Sequence, residues 1–186
     1  MSSSDGQPTP TGGAAFLAAA DASRVNGLYD AFYPKIYAYC VYRLFKRELA
    51  EDVTSRVFLR LVRQFDQLRE QDTTSIGNWL YGTANHLVTN HIRKGRRRAE
   101  ILREVAEQLA ARPAANATDH MDWPVLYQAI LRLRRKQQDV VVLRFFENFD
   151  TFRIAQILGI KPVTVRVLLS RALKNLRREL ETPFGT

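Results

Sequence analysis

The side chains in this sequence best suited to a chemical role are basic, and they fall into two clusters. Arg93–Arg98 holds five basic residues in six positions, and a second group lies between Lys161 and Lys174. Clustered cations neutralise phosphates, so this pattern predicts a polyanionic partner, usually a nucleic acid. For the first cluster the alternative is a solvated helix end, where the helix dipole favours cations.

The second basic group lies within a segment, Asp150–Ser170, that is typical of two short helices joined by a tight turn. Asp150 suits an N-cap, and Ala155 is small enough for two helices to cross closely. Gly159 supplies a left-handed turn residue, and Pro162 fits a first helical turn. The pattern predicts a helix-turn-helix, whose second helix enters the DNA major groove. A packed helical hairpin with no role in DNA binding is the alternative.

The exposed side of the second helix carries the residues expected to contact duplex DNA. Arg166 can bond a guanine edge in bidentate fashion, and the valines can touch thymine methyl groups. Basic and hydroxyl side chains around them are expected to contact phosphates or bases and so position the helix. The predicted set is Lys161, Val163, Thr164, Arg166, Val167, Ser170 and Arg171.

A third helix, predicted from Trp79 to Arg93, combines aromatic, amide and basic side chains suited to unpaired DNA. Aromatic faces stack on bases, and cations follow the phosphates. His86 and Asn90 are four residues apart, hence on one helical face. Trp79 and Tyr81 could equally well be core residues. Two histidines, His86 and His91, without a carboxylate make a poor metal site. The predicted set is Trp79, His86, Asn90, Arg93, Lys94, Arg96 and Arg97.

Composition narrows the class of protein further. The chain has 186 residues, 46% of them hydrophobic, with a formal net charge of +9 and a sequence pI near 10.0. Its one cysteine, Cys40, excludes an internal disulfide and a cysteine-based zinc site. We expect it to be a small core residue. No apolar run approaches the length of a membrane span, and no secretory signal is recognisable, so a cytoplasmic protein without cofactors or direct membrane insertion is expected.

Apolar periodicity predicts an all-α protein of two small domains. We expect a flexible tail over 1–22, a first helical domain over 23–98, a linker over 99–122 and a helix-turn-helix domain over 123–182. Pro34 is expected to separate or kink two helical pieces. The polar stretch 69–78 is expected to be a loop. The β-branched run 140–142 fits a buried helix better than a strand.

Three segments in order give a resemblance to bacterial sigma factors of the extracytoplasmic-function (group four) type. Leu49–Leu61 looks like the family's polymerase-binding helix, Asn78–Lys94 like its promoter-melting and minus-ten-reading helix, and Leu133–Arg171 like its minus-thirty-five-reading domain. The resemblance implies binding to the β′ and β subunits of core RNA polymerase and to promoter DNA, with an anti-sigma factor as a possible further partner.

The resemblance also implies that the first of these helices docks on the clamp helices of the polymerase, whereas an ordinary solvated helix with paired charges is the alternative. Asp52 is expected near the start of this helix, where the dipole favours an acid. The apolar residues of this helix form a stripe with polar flanks: Val53, Val57, Phe58, Leu61, Val62 and Phe65. The predicted interface set is Glu51, Asp52, Arg56, Arg60 and Arg63.

The chain departs from the family pattern at several positions. Ser55-Arg56 replaces a Gln-Glu pair, Arg134 a common proline, and Phe152-Arg153 an acidic pair, while Val167 and Leu168 replace a small polar and a basic residue. Two other functions stay open. A stand-alone helix-turn-helix regulator fits the motif but not the Trp79–Lys94 segment. An enzyme is disfavoured because no phosphate loop or nucleophile elbow is present.

Overall fold

The structure, a computed structural model, describes residues 19–94 and 123–181, and these form helices without any strand. In chain order the helices are α1 (Ala19–Leu44), α2 (Arg47–Arg63), α3 (Phe65–Leu68), α4 (Thr73–Lys94), α5 (Trp123–Arg132), α6 (Arg135–Val141), a π-helical turn (Val142–Phe146), α7 (Thr151–Leu158) and α8 (Pro162–Glu181). The all-α prediction is therefore confirmed for the described part of the chain.

The first helical block consists of α1 to α4, and its core follows the apolar spacing of each helix. Along α1 the buried residues recur every three or four positions from Val25 through Phe32 and Ile36 to Leu44. Fully buried side chains of α2 and α4, such as Leu61 and Leu80, meet this stripe. Burial of such stripes, rather than helix propensity, holds short helices together.

The second block, α5 to α8, has a small cluster of its own around Ile130, Leu133, Ala172 and Leu176. Its other apolar residues join the first block instead: Val140, Leu143, Ile154, Ile157 and Val165 belong to the same buried cluster as the residues of α1, α2 and α4. The two blocks therefore pack against each other through a continuous apolar core.

The helix-turn-helix has the local geometry that its residues predict. Asp150 caps α7 by accepting a hydrogen bond from the Arg153 N–H at 2.8 Å. Gly159 ends that helix with φ of 62°, a left-handed conformation that glycine adopts without a Cβ penalty. Pro162 is the first residue of α8. The β-branched run 140–142 is buried and helical, as expected.

Two predictions about helix boundaries are wrong: a separation into two helices at Pro34, and a loop over the whole of 69–78. Helix α1 continues through Pro34, because Phe32 and Ile36 on either side stay on one buried stripe and outweigh the lost backbone hydrogen bond. The expected loop over 69–78 is helical from Thr73 onward. Asp72 accepts hydrogen bonds from the Ser75 N–H and hydroxyl at 2.9 and 2.7 Å, and so caps α4. These bonds lower the pKa of Asp72.

One prediction about α2 also needs correction. The helix begins at Arg47, so Asp52 lies in its second turn rather than near its start, and it pairs with Arg56 four residues on, at 3.0 Å. Within the apolar stripe predicted for this helix, Val62 is 41% exposed, whereas Phe58, Leu61 and Phe65 are buried. Cys40 is fully buried, as predicted, and burial raises the pKa of its thiol to about 11.

Candidate nucleic-acid and polymerase interface

The outer face of α2 presents the predicted polymerase-binding set to solvent. Glu51, Asp52, Arg56, Arg60 and Arg63 are all exposed. Only the Asp52–Arg56 pair among them forms a salt bridge between described residues, and an exposed pair of this kind contributes little to stability. The face is therefore charged, mixed in sign and free to contact another protein.

Helix α2 also has two exposed apolar side chains, Leu59 and Val62, whose exposure was not predicted from the sequence. Leu59 is 49% exposed and Val62 is 41% exposed, and Tyr29 of α1 is 43% exposed nearby, with its ring against Phe58. Exposed apolar residues among charged ones are typical of protein interfaces. The sequence contains a signal for these exposed residues, because the apolar positions of α2 cover two adjacent faces of the helix instead of one.

Helix α4 has one buried face and one face on a cleft. Ile76, Leu80, Ala84 and Val88 recur every four residues and are fully buried. Among the predicted minus-ten residues, His86 and Arg93 are exposed, while Trp79 and Asn90 are partly buried. Arg96 and Arg97 lie outside the described residues, as does the side chain of Lys94. The structure therefore brings only part of this predicted set together.

His86 and Asn90 are in direct contact, with the Asn90 Nδ2 atom 2.7 Å from His86 Nε2. The two side chains therefore lie on one face of α4, as their spacing predicts. Tyr81, in contrast, is a core residue: it is 1% exposed, and its hydroxyl donates to the Glu147 carboxylate in the second block. Burial, together with this bond, raises the pKa of Tyr81.

The cleft beside α4 has a volume of about 640 Å³ and is built from both blocks. Arg60 of α2 and Trp79 and His86 of α4 line one side, and Gln156 and Ile157 of α7 line the other. Candidate contacts to polymerase and to unpaired DNA thus meet the helix-turn-helix in one place. Spacing along α4 predicts that Trp79 and His86 share a face, but it does not predict that α7 lies opposite that face.

All residues of the predicted minus-thirty-five set are exposed to solvent. Lys161, Val163, Thr164, Arg166, Val167, Ser170 and Arg171 are all exposed, and Val163 and Val167 are 56% and 42% exposed. Val165, between them, is fully buried and anchors α8 to the core. An α-helix that presents cations and small apolar groups on one free face can enter a major groove.

Two family models match the chain, one over each helical block. The model described as Sigma-70 region 2 matches residues 28–98, and the model described as Sigma-70, region 4 matches residues 125–176. The chain belongs to the sigma-70 family. Together the two matches cover most of the chain, in the order that the sequence resemblance implied.

Relatives of this sigma-70 family member extend the likeness to the extracytoplasmic-function (ECF) type and so confirm the resemblance. The chain is 30% identical over 165 residues to the ECF RNA polymerase sigma factor BldN of Streptomyces coelicolor, a match covering 87% of this chain and 62% of BldN. It is 26% identical to the RNA polymerase sigma factor YlaC of Bacillus subtilis, covering 84% and 91%. The chain thus spans less than two thirds of BldN but most of YlaC.

A solved structure shares the fold of this sigma-70 family member. The Bartonella quintana sigma factor RpoE, crystallised in complex with the anti-sigma factor NepR, aligns with a TM-score of 0.64 at 18% identity, covering 87% of this chain and 99% of that one. Among the described residues, no group of three or more potential metal ligands occurs, and no helix is long and apolar enough to cross a membrane.

Proposed function

We propose that this chain binds core RNA polymerase and directs it to promoters, where it reads a minus-thirty-five element as duplex and a minus-ten element as opened strands. The observation that carries the proposal is the presence of both sigma regions in one chain, each with its predicted contact face described above. The exposed surface of α8 supports duplex reading, and the α4 face supports strand capture.

Each face has a distinct role in this proposal. The α2 surface, with Arg60, Arg63 and the exposed Leu59, docks on the polymerase β′ subunit. His86 and Asn90 hydrogen-bond the edges of unpaired bases, and Arg93 neutralises phosphates. The second block contacts the β subunit while α8 lies in the major groove. The chain itself catalyses no bond-making, which belongs to the polymerase, and it acts in the cytoplasm without a cofactor.

An anti-sigma factor is a further proposed partner, because the RpoE chain that shares this fold was co-crystallised with one. We also propose 23–98 and 123–182 as the bounds of the two domains, with 99–122 as their linker. The second candidate function is a stand-alone helix-turn-helix regulator of transcription. Only the helix-turn-helix, considered without the first block, supports it.

Run-off transcription with purified core polymerase on a genomic fragment library tests the proposal. We expect transcripts with defined start points that depend on the chain, and co-elution of the chain with core polymerase at low salt. Arg60→Glu with Leu59→Asp should abolish co-elution, whereas Arg177→Glu, a charge reversal on α8, should not. Binding of duplex DNA as a dimer, without any defined transcript, would support the stand-alone regulator instead.

A further inference from the structure

The cleft between α2, α4 and α7 has the charge pattern of an anion-binding site. Among the described residues, none that lines this cleft carries a carboxylate. Arg60 of α2 lines it and forms no salt bridge within the described part of the chain. A guanidinium without an acidic partner, in a concave surface without acids, attracts an anionic ligand and can bond its oxygens.

The same cleft contains an aromatic ring that is only partly covered. Trp79 packs against the core of the first block and also lines the cleft. No other aromatic ring of the described residues is paired with it. The exposed side of an indole binds flat rings by stacking, and nucleic acid bases are the flat rings that proteins most often bind in this way.

Polar side chains complete the lining of the cleft. Asn78 is held in place by α7, since its Nδ2 donates to Gln156 Oε1 at 3.0 Å and its Oδ1 accepts from Arg153 Nε at 2.9 Å. The side chains of Gln64 and Thr83, in contrast, have no hydrogen bond to any described residue. An amide and a hydroxyl with free donors and acceptors can bond the edge of a base or a sugar.

We propose that this cleft binds a free nucleoside phosphate, with the base stacked on Trp79 and the phosphate on Arg60. One such molecule combines a flat ring and an anion, and the cleft volume of about 640 Å³ is in the range of small-ligand sites. Trp79 and His86 of the cleft also belong to the predicted minus-ten set, so a bound nucleotide competes with an unpaired strand. The competition rests on the proposed function, whereas the nucleotide site does not.

Position 83 offers a matched pair of variants that tests the charge of the cleft. Thr83→Glu places a carboxylate in a lining without acids, whereas Thr83→Gln adds a side chain of the same size without charge. Glutamate and glutamine have similar helix propensities, so both variants should fold alike. Thr83→Glu should weaken nucleotide binding about tenfold relative to Thr83→Gln at low salt, because the added carboxylate repels the phosphate.

Two further variants remove the groups that are assigned to the base and the phosphate. Trp79→Leu and Arg60→Gln should each weaken nucleotide binding about tenfold. Arg47→Gln is the control for lost charge, because Arg47 is exposed on the same helix as Arg60 and does not line the cleft. It should bind the nucleotide as the unmodified chain does. Circular dichroism checks that every variant is folded.

Isothermal titration calorimetry of the full-length chain with AMP, GMP, adenosine and inorganic phosphate tests the site. AMP should bind at least about tenfold more tightly than adenosine or phosphate, because only the nucleotide makes both contacts. Absence of binding by both nucleotides would overturn the inference. Equal affinities of folded Thr83→Glu and Thr83→Gln would also overturn it, since the ligand would then lie elsewhere.

An unpaired DNA strand carries the same base and phosphate groups, and a second arm distinguishes the two sources. Saturating nucleotide should weaken anisotropy binding of a random-sequence single-stranded oligonucleotide at least about fivefold and leave duplex binding unchanged. Single-strand binding that is absent, or unchanged by the nucleotide, would overturn the competition. Oligonucleotide binding without mononucleotide binding would overturn the inference and leave the proposed function standing. Failed run-off transcription by a chain that binds AMP would reject the proposed function alone.

Discussion

Removing Arg43 should destabilise the protein more than any exposed charge change, because it is a buried cation that joins the two blocks. Arg43, at the end of α1, is 3% exposed, and its guanidinium donates to Gln138 Oε1 at 3.0 Å and to the Asp139 carboxylate. Gln138 in turn donates to the Leu131 and Leu133 carbonyls at 2.9 and 3.0 Å. Arg43→Met keeps most of the apolar stem but leaves Asp139 as a buried carboxylate without its partner.

The expected loss in the free energy of unfolding is about 3–5 kcal/mol at pH 7, the usual cost of breaking a buried ion pair from one side. Total stabilities of domains lie at roughly 5–15 kcal/mol, so the loss should be obvious in urea unfolding followed by circular dichroism. Arg43→Met combined with Asp139→Leu removes both charges, and it should recover most of the loss. A decrease below about 1 kcal/mol in the single variant would refute the assignment of a buried, desolvated pair.

The pH dependence gives this prediction its sign. Burial raises the pKa of Asp139, although Arg43 opposes the shift. A carboxyl group whose pKa is raised in the folded state binds protons better folded than unfolded, so its stabilising contribution is present in acid and is lost as the pH rises through the folded pKa. Without Arg43 the pKa of Asp139 should rise further, and the deficit of Arg43→Met should shrink between pH 7 and pH 5. A deficit that grows in acid would contradict this reasoning.

Three other perturbations test separate parts of the chain. Arg166→Ala should weaken binding to a minus-thirty-five duplex by about 1–3 kcal/mol in anisotropy titrations, with co-elution on core polymerase unchanged; loss of co-elution would show that the face is misassigned. His86→Ala with Asn90→Ala should reduce permanganate reactivity of unpaired promoter thymines more than duplex affinity, and an unchanged footprint would exclude these residues from opening. Gly159→Ala should lower the free energy of unfolding by roughly 1 kcal/mol, because φ of 62° is strained for alanine, and no change in urea midpoint would argue against that conformation.

Much of the fold could be predicted from the sequence, because local rules and burial pointed the same way. Asp150 and Gly159 lie at the two ends of α7, as their residue types predict. The apolar spacing of α1 correctly identified its buried face. The errors occurred where tertiary burial competed with a local signal. Pro34 did not break α1, and Asp72 started α4 earlier than the polar composition of 69–78 suggested.

The exposed residues of the candidate site could also be predicted from the sequence, whereas the contact between α4 and α7 could not. The outward position of Arg166 follows from helical spacing once Val165 is recognised as buried. The Arg153–Asn78 bond, in contrast, joins residues 75 positions apart, on helices whose crossing is fixed only by the shared core. The hydrophobic periodicity of the two helices does not predict this pair, because Asn78 and Arg153 are polar and could equally well be solvated.

The departure at position 153 acquires a physical meaning only when its partner is known. The family's usual acid there would face Asn78 with an acceptor, and the amide would have to reverse, turning its oxygen toward Gln156. Gln156 could follow by turning its own amide, so an acid would not abolish hydrogen bonding. It would, however, lose the stacking of the guanidinium on Phe149 and place a negative charge near Glu147, which already bonds Tyr81 across the same junction. The basic residue at this position therefore stabilises the contact between α7 and α4 in this chain. It does so through its charge and its stacking on Phe149, not through the number of hydrogen bonds.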